Sequence, residues 1–550
     1  MIKRLFNGQI NNITVAAGLV GASSLVSRFL GVFRDRILAG EFGAGDTLDV
    51  YYAAFRIPDS IFNLLVLGAL SAGFIPIFVG LLKNPLDKIT GFFAGEENKK
   101  AWTLASNILN ILVLGLLVLC GLGIIFSPGL TELITPGFSP EKQALTVALT
   151  RIMFLSPLFL GISAVLGGIL QSFKRFFVYS LAPIMYNVGI IIGALYFVPA
   201  WGIYGLAWGV VLGASLHMLI QLPTTIALGF RHRLKIDFKD SDLKKIGAMM
   251  VPRTMSLAIS QINLVVITII ASTLAVGSLA VFNLANNLQS FPIGIFGISF
   301  AIAAFPALSA AAFSKKDLVA GFSSTLRQIL FFIVPSTVLL ITLRAQVIRV
   351  IFGTGRFDWE DTILTMNTLA FFCLSLFAQA SLPLLVRVFY ARHDSKTPFF
   401  IGLFSALINV VLSLWLSSRM GVAGLALAFS LSSILNFILL WLALRFSLGQ
   451  MDEIKILVSV IKFSAAGVAC GITVQGMKLL IWPFIDMTKF WGVLTQGLVA
   501  GLAGMFIYAA VCSLLRSEEF MAVWTPIKCK LCRQPLKKVT TEDQGEARGI

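Results

Sequence analysis

Charge is what this chain has least of: of its 550 residues, 13% are Asp, Glu, Lys or Arg, about half the share usual in soluble domains. That scarcity excludes an ordinary soluble enzyme. Histidine is nearly absent, with 3 in the chain. The cysteines form no framework, since Cys120, Cys373, Cys470 and Cys512 stand singly in apolar segments and only Cys529 and Cys532 lie close together, in the tail. A lone C-x-x-C with no second pair is a weak zinc signature, so neither a disulfide scaffold nor a metal site is expected. There is no HExxH, Walker A or nucleophile-elbow pattern, which removes the sequence basis for an ATPase or hydrolase; no enzyme activity and no cofactor are expected. No cleavable signal peptide is expected either, because the first apolar stretch runs past signal length and carries Arg28 and Arg34.

What the chain has instead is apolar length. Hydrophobic residues make up 57% of it, and with about 20 residues per crossing they supply on the order of fourteen spans. Apolar runs fall at 13-41, 48-82, 101-128, 144-172, 178-199, 203-229, 246-274, 278-311, 319-350, 361-391, 398-418, 421-446, 456-481 and 489-515. Several exceed one bilayer thickness and should tilt or kink at proline. Lys and Arg outnumber Asp and Glu 43 to 26, but the excess sits between apolar blocks, which marks topology and excludes nucleic acid as a partner. With the N-terminus inside, alternate connections hold Lys83, Lys88, Lys99 and Lys100, then Lys174 and Arg175, then Arg231, Arg233, Lys235, Lys239, Lys244 and Lys245, and later Lys315, Lys316, Arg392 and Lys396. The opposite connections hold far fewer, so both ends are expected in the cytoplasm.

Weak internal recurrences share one order and one offset of roughly 220 to 230 residues. Gly202-Ile-Tyr-Gly-Leu-Ala207 returns as Gly421-Val-Ala-Gly-Leu-Ala426, Phe176-Phe177 with Asn187 returns as Phe399-Phe400 with Asn409, and Phe74-Ile75-Pro76 echoes Ala304-Phe305-Pro306. The expected architecture is an all-α polytopic membrane protein with two pseudo-symmetric six-helix lobes, residues 1-229 and 230-447. Two further helices at 448-515 and a basic cytoplasmic tail at 516-550 complete it. Equivalent helices would share orientation, an arrangement suited to a transporter that rocks between inward-open and outward-open states.

Charges at membrane depth are costly and mark cavities or buried pairs. They concentrate in the first two helices: Arg28, Arg34, Asp35 and Arg36 in the first, and a stripe of Asp49, Tyr52, Arg56, Asp59, Ser60 and Asn63 in the second. Arg28 and Asp35, seven apart, share a face, while Arg34 points elsewhere. Each has a plainer reading, as a structural pair, a snorkelling cation, or, for Arg253 after Pro252, a cap on freed carbonyls. Asn283, Asn286, Asn287, Gln289 and Ser290 before Pro292 read either as a bendable gate or as ordinary interhelical hydrogen bonding. His217 reads as a satisfied imidazole. Arg28, Arg34, Arg56 and Arg253 are the candidate cationic cavity, with Asp35, Asp49, Asn286, Asn287 and Ser290 as supporting or gating groups. No acid is evident in the middle of helices 7, 8, 11 or 12, and guanidinium forks without an acid cluster match phosphate oxygens, so a membrane diphosphate lipid fits.

At these residues the chain resembles the MurJ (MviN) family of lipid II flippases, in the multidrug/oligosaccharidyl-lipid/polysaccharide exporter superfamily. The resemblance runs from Ser27-Arg28-Phe-Leu-Gly-Val-Phe-Arg34-Asp35 through Phe42-Gly-Ala-Gly-Asp-Thr-Leu-Asp49, Phe55-Arg-Ile-Pro58 and Ala72-Gly-Phe-Ile-Pro76 to Phe291-Pro292-Ile-Gly294, Phe305-Pro306 and Phe389-Tyr-Ala-Arg392-His-Asp394-Ser-Lys-Thr-Pro398. It implies a fourteen-helix, two-lobed fold in the bacterial cytoplasmic (inner) membrane. It also implies a cationic central cavity that carries an undecaprenyl-diphosphate-linked peptidoglycan precursor outward, with membrane lipids and cell-wall synthesis proteins as candidate partners. Arg28, Arg34 and Asp49 match positions important in the family, and Arg56 stands where a basic residue is usual. The chain departs from the pattern at Phe62 and Asn287, where the family places arginines, and at Leu67 and Ser290, where it places glutamates. Another polyprenyl-linked glycan, multidrug antiport, or a non-transporting envelope scaffold are the alternatives.

Overall fold

The computed structural model describes residues 13–67, 70–82 and 98–531. The side chain of Arg253, Lys83, Lys88, and the tail pair Cys529 and Cys532 with its thiols lie outside the described residues or side chains. Among the described residues there is no strand, and helices make up most of them. The long helices are α1 (Ile13–Phe42), α2 (Asp46–Phe62, continued by Asn63–Leu67 and Leu70–Leu81), α3 (Lys99–Ile125), α4 (Pro140–Ser172), α5 (Phe176–Trp201), α6 (Tyr204–Ala227), α7 (Ser241–Ser272) and α8 (Ser278–Ala310). They are followed by α9 (Lys315–Thr342), α10 (Trp359–Cys373 with Leu376–Ala391), α11 (Lys396–Met420), α12 (Val422–Leu448), α13 (Glu453–Phe484) and α14 (Phe490–Leu514).

Ten of these are long and apolar enough to cross a membrane, and the bent pair of α10 makes an eleventh among the described residues. The other three, α1, α2 and α7, are those in which charged residues interrupt the apolar run. The set is consistent with fourteen spans in a multi-pass membrane protein. Expected helix 361-391 is bent by 47° between Cys373 and Leu376, so the bend lies ahead of Pro383 and not at it. In α2, α5 and α8 the helix widens into π-helical turns at Asn63–Leu67, Gly193–Phe197 and Ile293–Ile298, a local misfit that often accompanies functional sites.

The described residues pack as two compact units. One comprises the described residues up to Phe291, with Val347–Ser375 and Lys396–Asn436; the other comprises Pro292–Gln346, Leu376–Ser395 and the described residues from Phe437 onward. In the first, Phe74, Phe78, Trp102, Phe173 and Phe230 form an aromatic core joining α2, α3 and α4 to the segment after α6. Helices α5 and α6 cross at glycine: a Cβ on Gly189 would lie 2.3 Å from the Gly213 Cα, so their backbones touch, the small-residue packing on which membrane helices rely where hydrophobicity gives no drive to associate. Asn107 and Asn110 of α3 donate to the carbonyls of Arg233, Lys235 and Asp237, holding the basic connection between α6 and α7 in an extended line.

In the second unit, the Tyr508 hydroxyl of α14 donates to the Phe331 carbonyl of α9 at 2.8 Å, and Gln346 pairs with Gln496. The start of the expected tail is a further helix, Glu518–Leu531. Its Glu519 is buried and accepts from Arg327, Ser459 and Ser517. Burial opposes ionisation of that carboxyl, but these hydrogen bonds and the Arg327 charge outweigh it and hold its pKa below the usual glutamate value. Composition alone reads this stretch as polar tail because the acids that dock it pair with an arginine 192 residues away.

Candidate functional site

Within the first unit, α1, α2, α4, α5 and α6 surround a cavity of about 660 Å³, in the size range of small-molecule sites. Its wall includes Ser27, Arg28 and Arg34 from α1, Asp59 and Phe62 from α2, Tyr186 from α5 and His217 and Gln221 from α6. Arg28 Nη1 donates to the Ser290 carbonyl at 3.4 Å, a long bond that an anion can displace. Arg34 is held more firmly. Its Nε and Nη2 donate to Asp35 Oδ1 at 3.0 and 2.7 Å, and its Nη1 to Asn187 Oδ1 at 3.3 Å. Asn187 in turn donates to Ser27 and to the Pro183 carbonyl, so α5 fixes how far the guanidinium reaches.

Asp35 is 2% exposed and its second oxygen accepts from Asn287 Nδ2 at 2.8 Å. The shared face of Arg28 and Asp35 therefore yields no bond between them; the carboxylate instead joins α1 to α8. Arg34 pairs with its immediate neighbour because its long side chain can fold back along the helix, which face-counting by Cβ direction misses. Asn286 accepts from Gln289, and the Ser290 hydroxyl donates to the Asn286 carbonyl at 2.7 Å, bonds internal to α8. Arg56 is buried and turned from the cavity wall: Nε donates to Thr268 Oγ1 at 2.9 Å and Nη2 to Asn283 Oδ1 at 3.3 Å, tying α2 to α7 and α8. The side chain of Arg253 lies outside the described ones.

Asp49 lies elsewhere, at the α8 entry. Its carboxylate accepts from the backbone of Gly277 at 2.8 Å and Ala280 at 2.9 Å and from Lys142 Nζ at 3.2 Å. A negative charge at a helix N-terminus satisfies donors that the helix itself cannot. Nearby, Asp361 accepts from the Ala44 amide at 2.9 Å, Arg356 N donates to the Gly40 carbonyl at 2.8 Å, and Arg36 donates to the carbonyls of Val350 and Ile351. Gly277 adopts φ +84° with its would-be Cβ 1.8 Å from the Ala44 carbonyl oxygen. The α1–α2 and α7–α8 connections and the segment before α10 thus form a tight seam, distinct from the cavity.

Two residues of the wall were passed over as candidates. Asp59 lines the cavity and accepts from Asn63 Nδ2 at 2.8 Å; its place in the α2 polar stripe was the available signal. Gln221 lies past the polar stripes, and nothing in its neighbourhood marks it.

A family model described as lipid II flippase MurJ matches residues 38–494. The chain is 31% identical to a probable lipid II flippase MurJ of Vibrio cholerae over 90% of its own length and 95% of that protein. It is 29% identical to a probable lipid II flippase MurJ of Thermotoga maritima over 90% of this chain and 94% of that one. Among solved structures, a lipid II flippase MurJ in an inward closed conformation superposes with TM-score 0.72 at 25% identity, covering 90% of this chain and 98% of the other. An inward-facing multidrug resistance MATE family transporter of the MOP superfamily agrees in fold, with TM-score 0.61 at 16% identity over 78% of this chain and 96% of that one.

Proposed function

The chain belongs to the lipid II flippase MurJ family, and from that premise we propose that it carries lipid II from the cytoplasmic to the outer leaflet by alternating access. The observation that carries this reading is Arg28: a cation facing a 660 Å³ cavity with, among the described residues, a single long bond to a carbonyl. A guanidinium so placed can exchange the Ser290 carbonyl for two phosphate oxygens, a bidentate, charge-assisted contact. Arg34, braced by Asp35 and Asn187, supplies a second positive charge along the same helix, six residues or about 9 Å further on. The polyprenyl tail stays in lipid while the diphosphate and sugars occupy the cavity.

In this reading, residues 1-229 and 230-447 act as the two lobes, supported by the recurrences at constant offset. The contacts that part and reform include Asp35 with Asn287, which joins α1 to α8. Both termini face the cytoplasm, as the loop charge bias favours. Cysteines at Lys99, Arg233 and Lys396 should then label from the inside and cysteines at Thr47 and Thr488 from the outside; labelling of both groups from one side rejects the map.

The decisive experiment is complementation of a bacterial strain depleted of its lipid II flippase, read by lipid II exposed at the outer surface. Rescue with exposed lipid II is expected. Failure accompanied by movement of another lipid-linked glycan assigns that substrate instead, drug efflux assigns antiport, and rescue of viability without lipid exposure assigns a scaffold.

A further inference from the structure

One part of the cavity wall has no task in holding a diphosphate. Between α4, α5 and α6, Gln221 is 1% exposed yet lines the cavity, and its Oε1 has no hydrogen-bond partner among the described residues. The orientation of its amide is fixed by what the nitrogen does. Nε2 donates to Ser163 Oγ at 2.5 Å and to the His217 carbonyl at 3.1 Å; exchanging O for N would set two oxygens against each other. Oε1 is therefore a committed acceptor left open. Burying such an atom unpaired is costly, so an unpaired one calls for a partner.

The surroundings match one class of partner. A Cβ on Gly167 would lie 3.1 Å from Gln221 Oε1 and 3.3 Å from the Tyr179 ring, so a side chain there would crowd both the acceptor and the aromatic face. His217 Nδ1 is 2.6 Å from Ser163 Oγ, which anchors the imidazole and leaves Nε2 as its remaining polar edge. The Tyr186 ring stands edge-on to that imidazole, 6.4 Å between centroids. The sequence reading of His217 as a satisfied imidazole holds for one nitrogen. Tyr and His rings offer apolar faces with polar tips, and here they alternate with an open acceptor and contain no charge of either sign.

We propose that Ser163, Gly167, Tyr179, Tyr186, His217 and Gln221 form a carbohydrate subsite, which takes an N-acetylated sugar of the cargo next to the arginines that take its diphosphate. A pyranose presents an apolar face to a tyrosine ring and hydroxyl or amide N–H donors to Gln221 Oε1. This inference rests on the lipid II reading and adds how the sugar end is distinguished from the lipid diphosphate alone.

The test compares two probes, lipid II and undecaprenyl diphosphate without sugars, binding to the purified full-length protein in lipid nanodiscs. Wild type should prefer lipid II. Gln221→Leu should weaken lipid II about tenfold, the loss of one hydrogen bond to a buried acceptor with its packing, and leave undecaprenyl diphosphate unchanged. Gly167→Ala, which removes no hydrogen bond but crowds Gln221 Oε1 and the Tyr179 ring, should act the same way and guards against a folding defect in the first variant. Arg28→Ala should weaken both probes. If wild type prefers lipid II and both variants keep that preference, or lose both probes in parallel, the subsite is wrong while the lipid II reading stands. If wild type binds neither probe, that reading falls and the subsite with it.

Discussion

The same two helices, α1 and α2, pass through a seam and a cavity, and the charges of the seam are partnered differently from Arg28 in the cavity wall. In the seam Asp49 holds two backbone amides and Lys142, Asp361 holds Ala44, and Arg36 holds two carbonyls. In the cavity wall Arg34 is braced by Asp35 and Asn187, but among the described residues Arg28 has one bond, at 3.4 Å. Burying ions is tolerable in the first case because fixed donors and acceptors replace water. In the second the deficit is left open for a solute to fill. Satisfaction, more than burial, separates Arg28 from the charges that hold the protein together.

The largest expected effect strikes the seam. Gly277→Val places a β-branched side chain at φ +84° and drives its Cβ to 1.8 Å from the Ala44 carbonyl, so the helix entry and the α1–α2 connection cannot both keep their places. A loss exceeding about 4 kcal/mol is expected, seen as failure to recover folded protein after extraction. Recovery at wild-type yield with wild-type thermal stability breaks the comparison at its structural end. Asp49→Asn comes next. The amide keeps the length but surrenders the charge facing Lys142 and the α8 amides, and a loss of about 3 kcal/mol is expected, measured by thermal unfolding, with binding per folded molecule unchanged.

Arg28→Ala sharpens the other end. Removing one charge-assisted contact should cost about 1.5 to 3 kcal/mol, or about 10- to 150-fold in binding, with abundance and thermal stability near wild type because Arg28 has so little to lose in the protein. Arg28→Lys should keep part of the affinity, retaining charge without the fork. Normal transport at normal abundance refutes the cationic head-group site; inactivity caused only by loss of the protein makes Arg28 structural.

Much of this was legible in the residues. Apolar runs place the helices, because the bilayer permits little else, and the costs of charge at depth single out α1 and α2 before any coordinates exist. What was not legible is pairing. Asn187 reads only as a polar residue in a helix and Asn287 as a gating candidate, yet one braces Arg34 and the other Asp35, across 153 and 252 residues of chain. Helical periodicity says which residues share a face and nothing about which distant helix supplies the partner. Gln221 escaped for the same reason: its meaning lies in Ser163 and Gly167, on another helix. The bend in α10 escaped because it falls at Leu374 and Ser375, residues with no breaking tendency of their own, and not at Pro383.

Arg56 gives the smallest expected effect and the finest test. From sequence it ranks with Arg28 as a cation for the cargo, but its bonds go to Thr268 and Asn283, as in the seam. Arg56→Met keeps an unbranched side chain of similar reach while deleting the charge. Thr268 loses little, since its hydroxyl already donates to the Leu264 carbonyl at 2.9 Å. Asn283 is left with an unpaired oxygen, while its nitrogen still donates to the Leu279 carbonyl at 2.7 Å. The Asp59 carboxylate also loses its neighbouring cation, while the substitution relieves the desolvation of a buried guanidinium. The relief offsets part of these losses, and a net stability loss of about 1 kcal/mol is expected. Binding of undecaprenyl diphosphate should stay within about threefold of wild type, set beside the 10-fold or greater loss for Arg28→Ala. If Arg56→Met loses as much binding as Arg28→Ala at unchanged stability, the guanidinium leaves Thr268 and Asn283 to reach the cargo, and partner satisfaction in one conformation does not sort structural from cargo-bearing charges in this fold.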